Sequence, residues 1–352
     1  MPLMAIMASC SGTHDPIDNV YTLSVDKTVI ESDGKDVATF TITDSYGNDI
    51  TATDLRNTSF TIEETGEVYS GKGTGVVPNV FSSIVDGSYT VSAMYNGISC
   101  ENKVSVKSQN RKNYEVFHKN VAVYRLTGTW CQYCPYMTTA LNNVNDYTKD
   151  HSIVLEFHNG DEFSVSYDAT RDLAAFILSR YGTANDGYPF CVYGAETGSG
   201  KRTVTDIQRF VKTQLYDHAA RTGIKAVSAV NEKSVVVEAN IKASASGKYD
   251  LCMAVVRDEC VPTSAGAYED KYHGVVRGIT NNFYGLSTDA VNLEAGAESV
   301  KISKSFVSEE IAKYPSDMRI VLLTIAEEGG KAYVDNAVSF KIGESVDYRY
   351  NQ

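Results

Sequence analysis

Long hydrophobic runs are missing from this 352-residue chain. No stretch of about eighteen apolar residues occurs, so no segment is built to cross a membrane as a helix. Basic residues are scarce, 32 Lys+Arg against 44 Asp+Glu, and the formal charge is -12. That balance excludes nucleic acid as an expected partner, because phosphate binding needs concentrated Lys and Arg. It also argues against adsorption to an anionic lipid surface. The seven cysteines lack the even spacing of a disulfide framework. The six histidines (His14, His118, His151, His158, His218 and His273) supply no second Cys/His pair of the kind a structural zinc needs, so no metal is expected. No cofactor is expected either.

What remains is ordinary globular material, 43% hydrophobic and 22% charged, long enough for two or three domains. The chain opens MPLMAIMASCSG, and Met7-Ala8-Ser9-Cys10 resembles a bacterial lipobox. There the small residues before the cysteine allow signal-peptidase cleavage and the cysteine carries lipid. No basic n-region precedes it and the apolar segment is short. The polar stretch SGTHDPIDN then reads as a tether. Residues 1–19 are accordingly assigned as signal remnant and tether, with Cys10 as the lipidation site.

Three stretches of different grammar follow. Residues 20–108 alternate β-branched and aromatic residues (YTLSV, DVATFTITD, SFTIEE, GSYTVSAMY) between Asp33-Gly34, Asp86-Gly87 and Asn96-Gly97 turns. About seven short strands at that spacing predict a sandwich. The opening LSVDKTVIESDGKDVATFTITDSYGNDI resembles bacterial immunoglobulin-like domains, which implies a spacer role. Residues 111–225 change register: VAVYRLTG, IVLEFHNG and PFCVYG are buried-strand patterns, and MTTALNNVNDYTKD, DATRDLAAFILSRYG and TVTDIQRFVKTQLYDHAART are helical ones. This predicts an α/β unit. Residues 226–352 return to strands and predict a second sandwich with one long excursion, CVPTSAGAYEDKYHGVVRGITNNFYG.

The chemistry concentrates in TGTWCQYCPYM, Thr127–Met137. Cys131 and Cys134 stand i and i+3 after a strand and at the start of a helix, where both sulfurs lie on one face. Unpaired N–H groups and the positive helix end favour a Cys131 thiolate, the attacking sulfur, with Cys134 resolving. Metal binding and inert packing are the rival readings. Trp130 is an apolar plate beside the pair. Gly187-Tyr188-Pro189 precedes the third strand, where a proline is awkward unless the Tyr188–Pro189 bond is cis. Cys191 reads as buried packing or a third redox thiol. Cys252 and Cys260 read either as a pair meeting across a turn or as two buried thiols.

Strand, W-C-x-x-C helix, strand, helix, G-Y-P strand, hairpin, helix resembles a thioredoxin fold, which implies that the Pro189 loop faces the dithiol and binds substrate backbone. LTGTWCQYCP, FHNGDEF, GYP and HGVVRG together are similar to the Omp28-related lipoproteins of Bacteroidetes, over roughly residues 111–352. The departure is Arg125, six residues before Cys131, where thioredoxins carry a buried acid on that strand. No Asp or Glu lies on VAVYRLTG. Arg125 either faces the pair and favours its thiolate or points outward and tops the strand.

The expected fold is therefore multidomain α/β plus all-β, a thioredoxin-like central domain flanked by two immunoglobulin-like sandwiches. The expected function is an extracytoplasmic, lipid-anchored thiol–disulfide oxidoreductase acting on protein thiols and disulfides. Cys131 and Cys134 are catalytic, Trp130, Tyr188 and Pro189 contact substrate, and the setting is the outer membrane, facing periplasm or cell surface. The alternative is a non-enzymatic cell-surface or periplasmic binding protein, or an outer-membrane component, on the same scaffold.

Overall fold

The computed structural model describes residues 20–72, 77–109, 117–280 and 283–351. Cys10 and the proposed tether lie outside the described residues.

Up to Gln109 the strands are β1 (Tyr21–Val25), β2 (Val29–Glu31), β3 (Ala38–Asp44), β4 (Thr58–Ile62), β5 (Glu67–Ser70), β6 (Val80–Phe81), β7 (Gly87–Tyr95), β8 (Ile98–Ser99) and β9 (Val104–Gln109), with a short helix α1 (Ile50–Asp54). The chain divides into two compact units. Among the described residues the first comprises 20–28, 38–72, 77–81 and 89–106. In it β1, β3 and β6 form one sheet, and β7, β4 and β5 run side by side in another. Alternation places Phe40, Ile42, Phe60, Ile62 and Val91 inward, fully buried, and the Phe40 and Phe60 rings stack at 5.7 Å.

The second unit holds the rest. Its elements after Phe117 are β10 (Val121–Thr127), α2 (Cys134–Asn142), α3 (Asp146–Asp150), β11 (Ser152–His158), α4 (Leu173–Tyr181), β12 (Phe190–Tyr193), β13 (Thr197–Ser199), α5 (Val204–Asp217), β14 (Thr222–Asn231), β15 (Ser234–Ala243), β16 (Gly247–Arg257), β17 (Val275–Thr280), β18 (Val291–Leu293), β19 (Ile302–Val307), α6 (Glu309–Lys313), β20 (Met318–Glu328), β21 (Lys331–Lys341) and β22 (Ser345–Val346).

The fold class differs from the expected one. The chain is mainly β, 45% strand against 16% helix, and β10–β13 do not close a sheet of their own as a thioredoxin-like α/β domain between two sandwiches would require. They continue into one nine-stranded sheet in the order β13-β12-β10-β11-β17-β16-β20-β21, with β18 on β16. The joint is the parallel β11–β17 pairing at Glu156↔Val275, where the Glu156 N–H donates to the Gly274 carbonyl at 2.8 Å. Hydrophobic periodicity identifies strands, but it does not say which edge each strand pairs with, and the joint depends on that.

The core follows the alternation of the long strands. On one face Tyr124, Leu126, Cys252, Ala254, Val321 and Leu323 pack with Leu173, Ala174 and Ile177 of α4. On the other, Val121, Val123 and Tyr193 meet Met137 and Ala140 of α2 and Ile207 and Val211 of α5. Farther along that sheet, Leu251, Met253, Ile320 and Leu322 pack with the second sheet, β19-β15-β14-β22, through Val235, Val237 and Ile241. The site described next sits where β10 leaves the shared sheet.

Candidate functional site

Strand β10 is buried along its whole length and ends at Thr127. Gly128 follows for a steric reason: a Cβ there would lie 2.7 Å from Nε1 of Trp130 and 2.8 Å from its Cε2. The indole therefore lies flat against the backbone, its Nε1–H donating to the Asn159 carbonyl at 2.7 Å. The chain then turns twice, Cys131 N–H to the Gly128 carbonyl at 3.0 Å and Cys134 N–H to the Cys131 carbonyl at 3.2 Å. These turns bring the two Cα atoms to 5.4 Å, and Cys131 and Cys134 form a disulfide. Helix α2 starts at Cys134 with Pro135 in its first turn, where the missing N–H costs nothing. Cys131 thus precedes the helix rather than lying in its first turn. Both sulfur-bearing residues are covered, 4% and 1% exposed. The aromatic residues around them are not: Trp130, Tyr133, Tyr136 and Tyr268 are each about half exposed or more.

The Tyr188–Pro189 bond is cis. Phe190 pairs with Leu126, so Pro189 stands at the end of β12 nearest the Gly128 turn. Tyr188 sets its ring edge-on to Trp130 at 5.5 Å. The structure thus gathers Cys131, Cys134, Trp130, Tyr188 and Pro189 around one turn.

Beneath the pair lies a charged network that sequence reasoning missed. Arg125 is buried on the α2 side of the sheet. Its guanidinium pairs with Glu156 and with Glu269 at 2.8 Å, and donates to Thr138 Oγ1 at 2.5 Å and the Cys134 carbonyl at 3.3 Å. Thr138 in turn donates to Glu269 at 2.7 Å. Burial works against the Arg125 charge, but the two glutamates outweigh it and raise its pKa, so the guanidinium stays charged. Burial raises the Glu156 pKa, and the attraction of Arg125 and His158 offsets only part of that rise. Next to Glu156, His158 pairs with Asp161 at 2.7 Å, and Asp161 accepts the Thr129 N–H at 2.7 Å. Burial alone would raise the Asp161 pKa; the His158 contact and the Thr129 and Phe163 N–H groups hold it below the usual carboxylate range. After β11 the chain bends at Gly160-Asp161, and this bend supports the disulfide loop.

Glu269 comes from the long excursion after β16. That segment returns to the site: the Tyr268 N–H donates to the Thr129 carbonyl at 3.1 Å, Thr263 and Ser264 donate to Glu162, and Tyr272 packs edge-on against His158 at 4.7 Å. The carboxylate that pairs with Arg125 comes from across the sheet, since Glu156 is its direct register partner. The signal was present in IVLEFHNG, a buried-strand pattern carrying one glutamate.

Cys191, Cys252 and Cys260 are packing. Cys191 is fully buried opposite Arg125, and burial pushes its pKa to about 12. Cys252 and Cys260 are free buried thiols, not a disulfide; Cys252 Sγ donates to the Thr280 carbonyl at 2.8 Å. Asp172 caps α4 and Glu310 pairs with Arg277, so both carboxylates have structural partners.

No protein-family model and no curated protein matches the chain. Among solved structures, HBP35 of Porphyromonas gingivalis aligns over 65% of this chain and 76% of its own, with a TM-score of 0.52 at 17% identity. At that identity the likeness concerns the fold alone. CsgH of R. palustris (15% identity, TM-score 0.17, 34% of this chain and 91% of that one) and InvD of Yersinia pseudotuberculosis (11%, 0.19, 92% and 97%) are too distant in structure to carry an argument. No helix among the described residues is long and apolar enough to cross a membrane.

Proposed function

We propose that this protein is an extracytoplasmic thiol–disulfide exchange protein of the cell envelope whose working centre is Cys131–Cys134. The observation that carries this reading is the disulfide itself, closed at the strand-to-helix turn among exposed aromatic residues and beside the Tyr188–Pro189 loop. In the disulfide state a partner thiolate attacks Cys131 Sγ, breaking the Cys131–Cys134 bond and releasing the Cys134 thiolate. A second partner thiolate then displaces Cys131, leaving the partner with a disulfide and this protein with two thiols. Two electrons pass from partner to protein, and the reverse sequence returns them. In this reading Trp130, Tyr188 and Pro189 hold the partner segment. Lipidation at Cys10 and membership of the Omp28-related lipoproteins belong to the same proposal and rest on sequence resemblance.

A second reading has its own observation. Both cysteines are nearly inaccessible, which suits a structural disulfide in a non-enzymatic binding or outer-membrane protein. The test is trapping. Cys134→Ser, reduced and mixed with a disulfide-bonded peptide, accumulates a covalent Cys131–peptide adduct if exchange occurs there. Absence of an adduct, with the free Cys131 thiol confirmed by mass spectrometry under denaturing conditions, supports the structural reading instead.

A further inference from the structure

The parallel register of β10 on β11 has a consequence away from the disulfide. Val121 pairs with Ser152, so the residues just before each strand lie side by side. This brings together His118, Asp150 and His151, whose ligand-capable atoms all lie within 4.8 Å of one another. His118 and His151 are almost wholly buried, while the Asp150 side chain is about half exposed and opens the group to solvent. A cavity of about 500 Å³ adjoins them, bounded by Tyr348, Arg349 and Tyr350. His151 Nδ1 lies 2.7 Å from the Lys119 carbonyl. A carbonyl only accepts, so Nδ1 carries the proton and Nε2 keeps a free lone pair. That outer hydrogen bond is the arrangement that orients a metal-ligating imidazole.

We infer that His118, Asp150 and His151 form a binding site for one borderline divalent cation, Zn²⁺ in the first instance, with water completing its coordination. Two imidazole nitrogens and one carboxylate oxygen are a donor set that Zn²⁺ accepts, with a fourth position for water. Metal ligands must be unprotonated. At His151 the Lys119 carbonyl keeps the proton on Nδ1 and leaves Nε2 unprotonated.

Loading has two definite local costs. His118 Nε2 now donates to the Asp150 carbonyl at 2.9 Å and its ring stacks on His151 at 4.3 Å, so to ligate through Nε2 His118 must give up that bond and shift its proton to Nδ1. Arg349 grips both Asp150 oxygens at 2.9 and 3.0 Å and must yield them. Arg349 therefore competes with the cation, and removing it should strengthen binding. A purely structural histidine stack does not predict that sign.

The experiment is calorimetric titration of Zn²⁺ into the untagged, chelator-treated full chain with its disulfide intact. Circular dichroism checks the fold of each variant. We expect one site in the wild type, weakened about tenfold or more in Asp150→Asn and His151→Gln, and tightened several-fold in Arg349→Ala. Asp150 is exposed enough that Asp150→Asn reports even if the histidine variant fails to fold. Absence of binding to the wild type, affinity unchanged in Asp150→Asn, or weaker binding in Arg349→Ala overturns the inference.

Discussion

Arg125→Met tests whether the charged network under the disulfide is held together as described. The side chain is 1% exposed and serves four acceptors: Glu156, Glu269, Thr138 Oγ1 and the Cys134 carbonyl. Methionine keeps most of the volume, so the loss is electrostatic. Removing one partner from a buried ion pair costs about 3–5 kcal/mol, because the other charge is left uncompensated. Glu269, 11% exposed at its side chain, regains some water; Glu156, at 5%, does not. The cost should therefore fall near the middle of that range at neutral pH.

It should also depend on pH with a fixed sign. Burial already raises the folded-state pKa of Glu156, and losing Arg125 raises it further. A carboxyl that binds its proton more tightly folded than unfolded adds stability as pH falls through the folded value. The deficit of Arg125→Met should thus shrink on acidification, and Glu156→Gln added to Arg125→Met should recover most of it at neutral pH. Urea unfolding of the four proteins of this cycle, at pH 7.5 and pH 5.5, measures both effects. A deficit below about 1 kcal/mol, or no recovery in the double variant, refutes the network as an energetic unit.

Gly128→Ala should displace Trp130, costing about 1–2 kcal/mol for its bond to the Asn159 carbonyl and its contact with Tyr188. Since Trp130 is the one tryptophan in the chain, a shift in its emission reads the displacement, and an unchanged spectrum contradicts it. His151, held at about 4 by burial against an ordinary 6.5, has its folded pKa depressed. Its neutral form is the one the fold favours, so stability is full above pH 6.5 and falls as pH drops toward 4, by about 3 kcal/mol in total. His151→Gln should flatten that part of the unfolding profile. Cys191 and Cys260, pushed to about 12 and about 11 and fully buried, should resist alkylation of the native protein at pH 8; rapid labelling of either places it nearer solvent than described.

The parts legible in the sequence were those set by local chemistry. Glycine-punctuated strands, the helical intervals of α2, α4 and α5, the Cys131/Cys134 pairing distance and the cis bond before Pro189 follow from residue type and spacing. The parts that were not legible lie across the sheet. Along β10 alone Arg125 reads as the loss of an acid, while its carboxylate partner stands opposite on β11. Glu269 lies more than a hundred residues away, in an excursion whose length is visible but whose docking is not. The same limit hid the joining of β11 to β17, which turned an expected separate α/β domain into one end of a larger β-sheet. It also hid His118 and His151, which share no local spacing and meet because two strands are parallel.

The proposed function has Cys131 and Cys134 exchange electrons with a partner. The most direct test is a glutathione redox titration of the folded protein, read by alkylation and mass spectrometry at those two residues. One reversible two-electron transition is expected, with both thiols appearing together at a defined potential. A pair that stays disulfide-bonded across the accessible range, and resists alkylation until the chain unfolds, contradicts it.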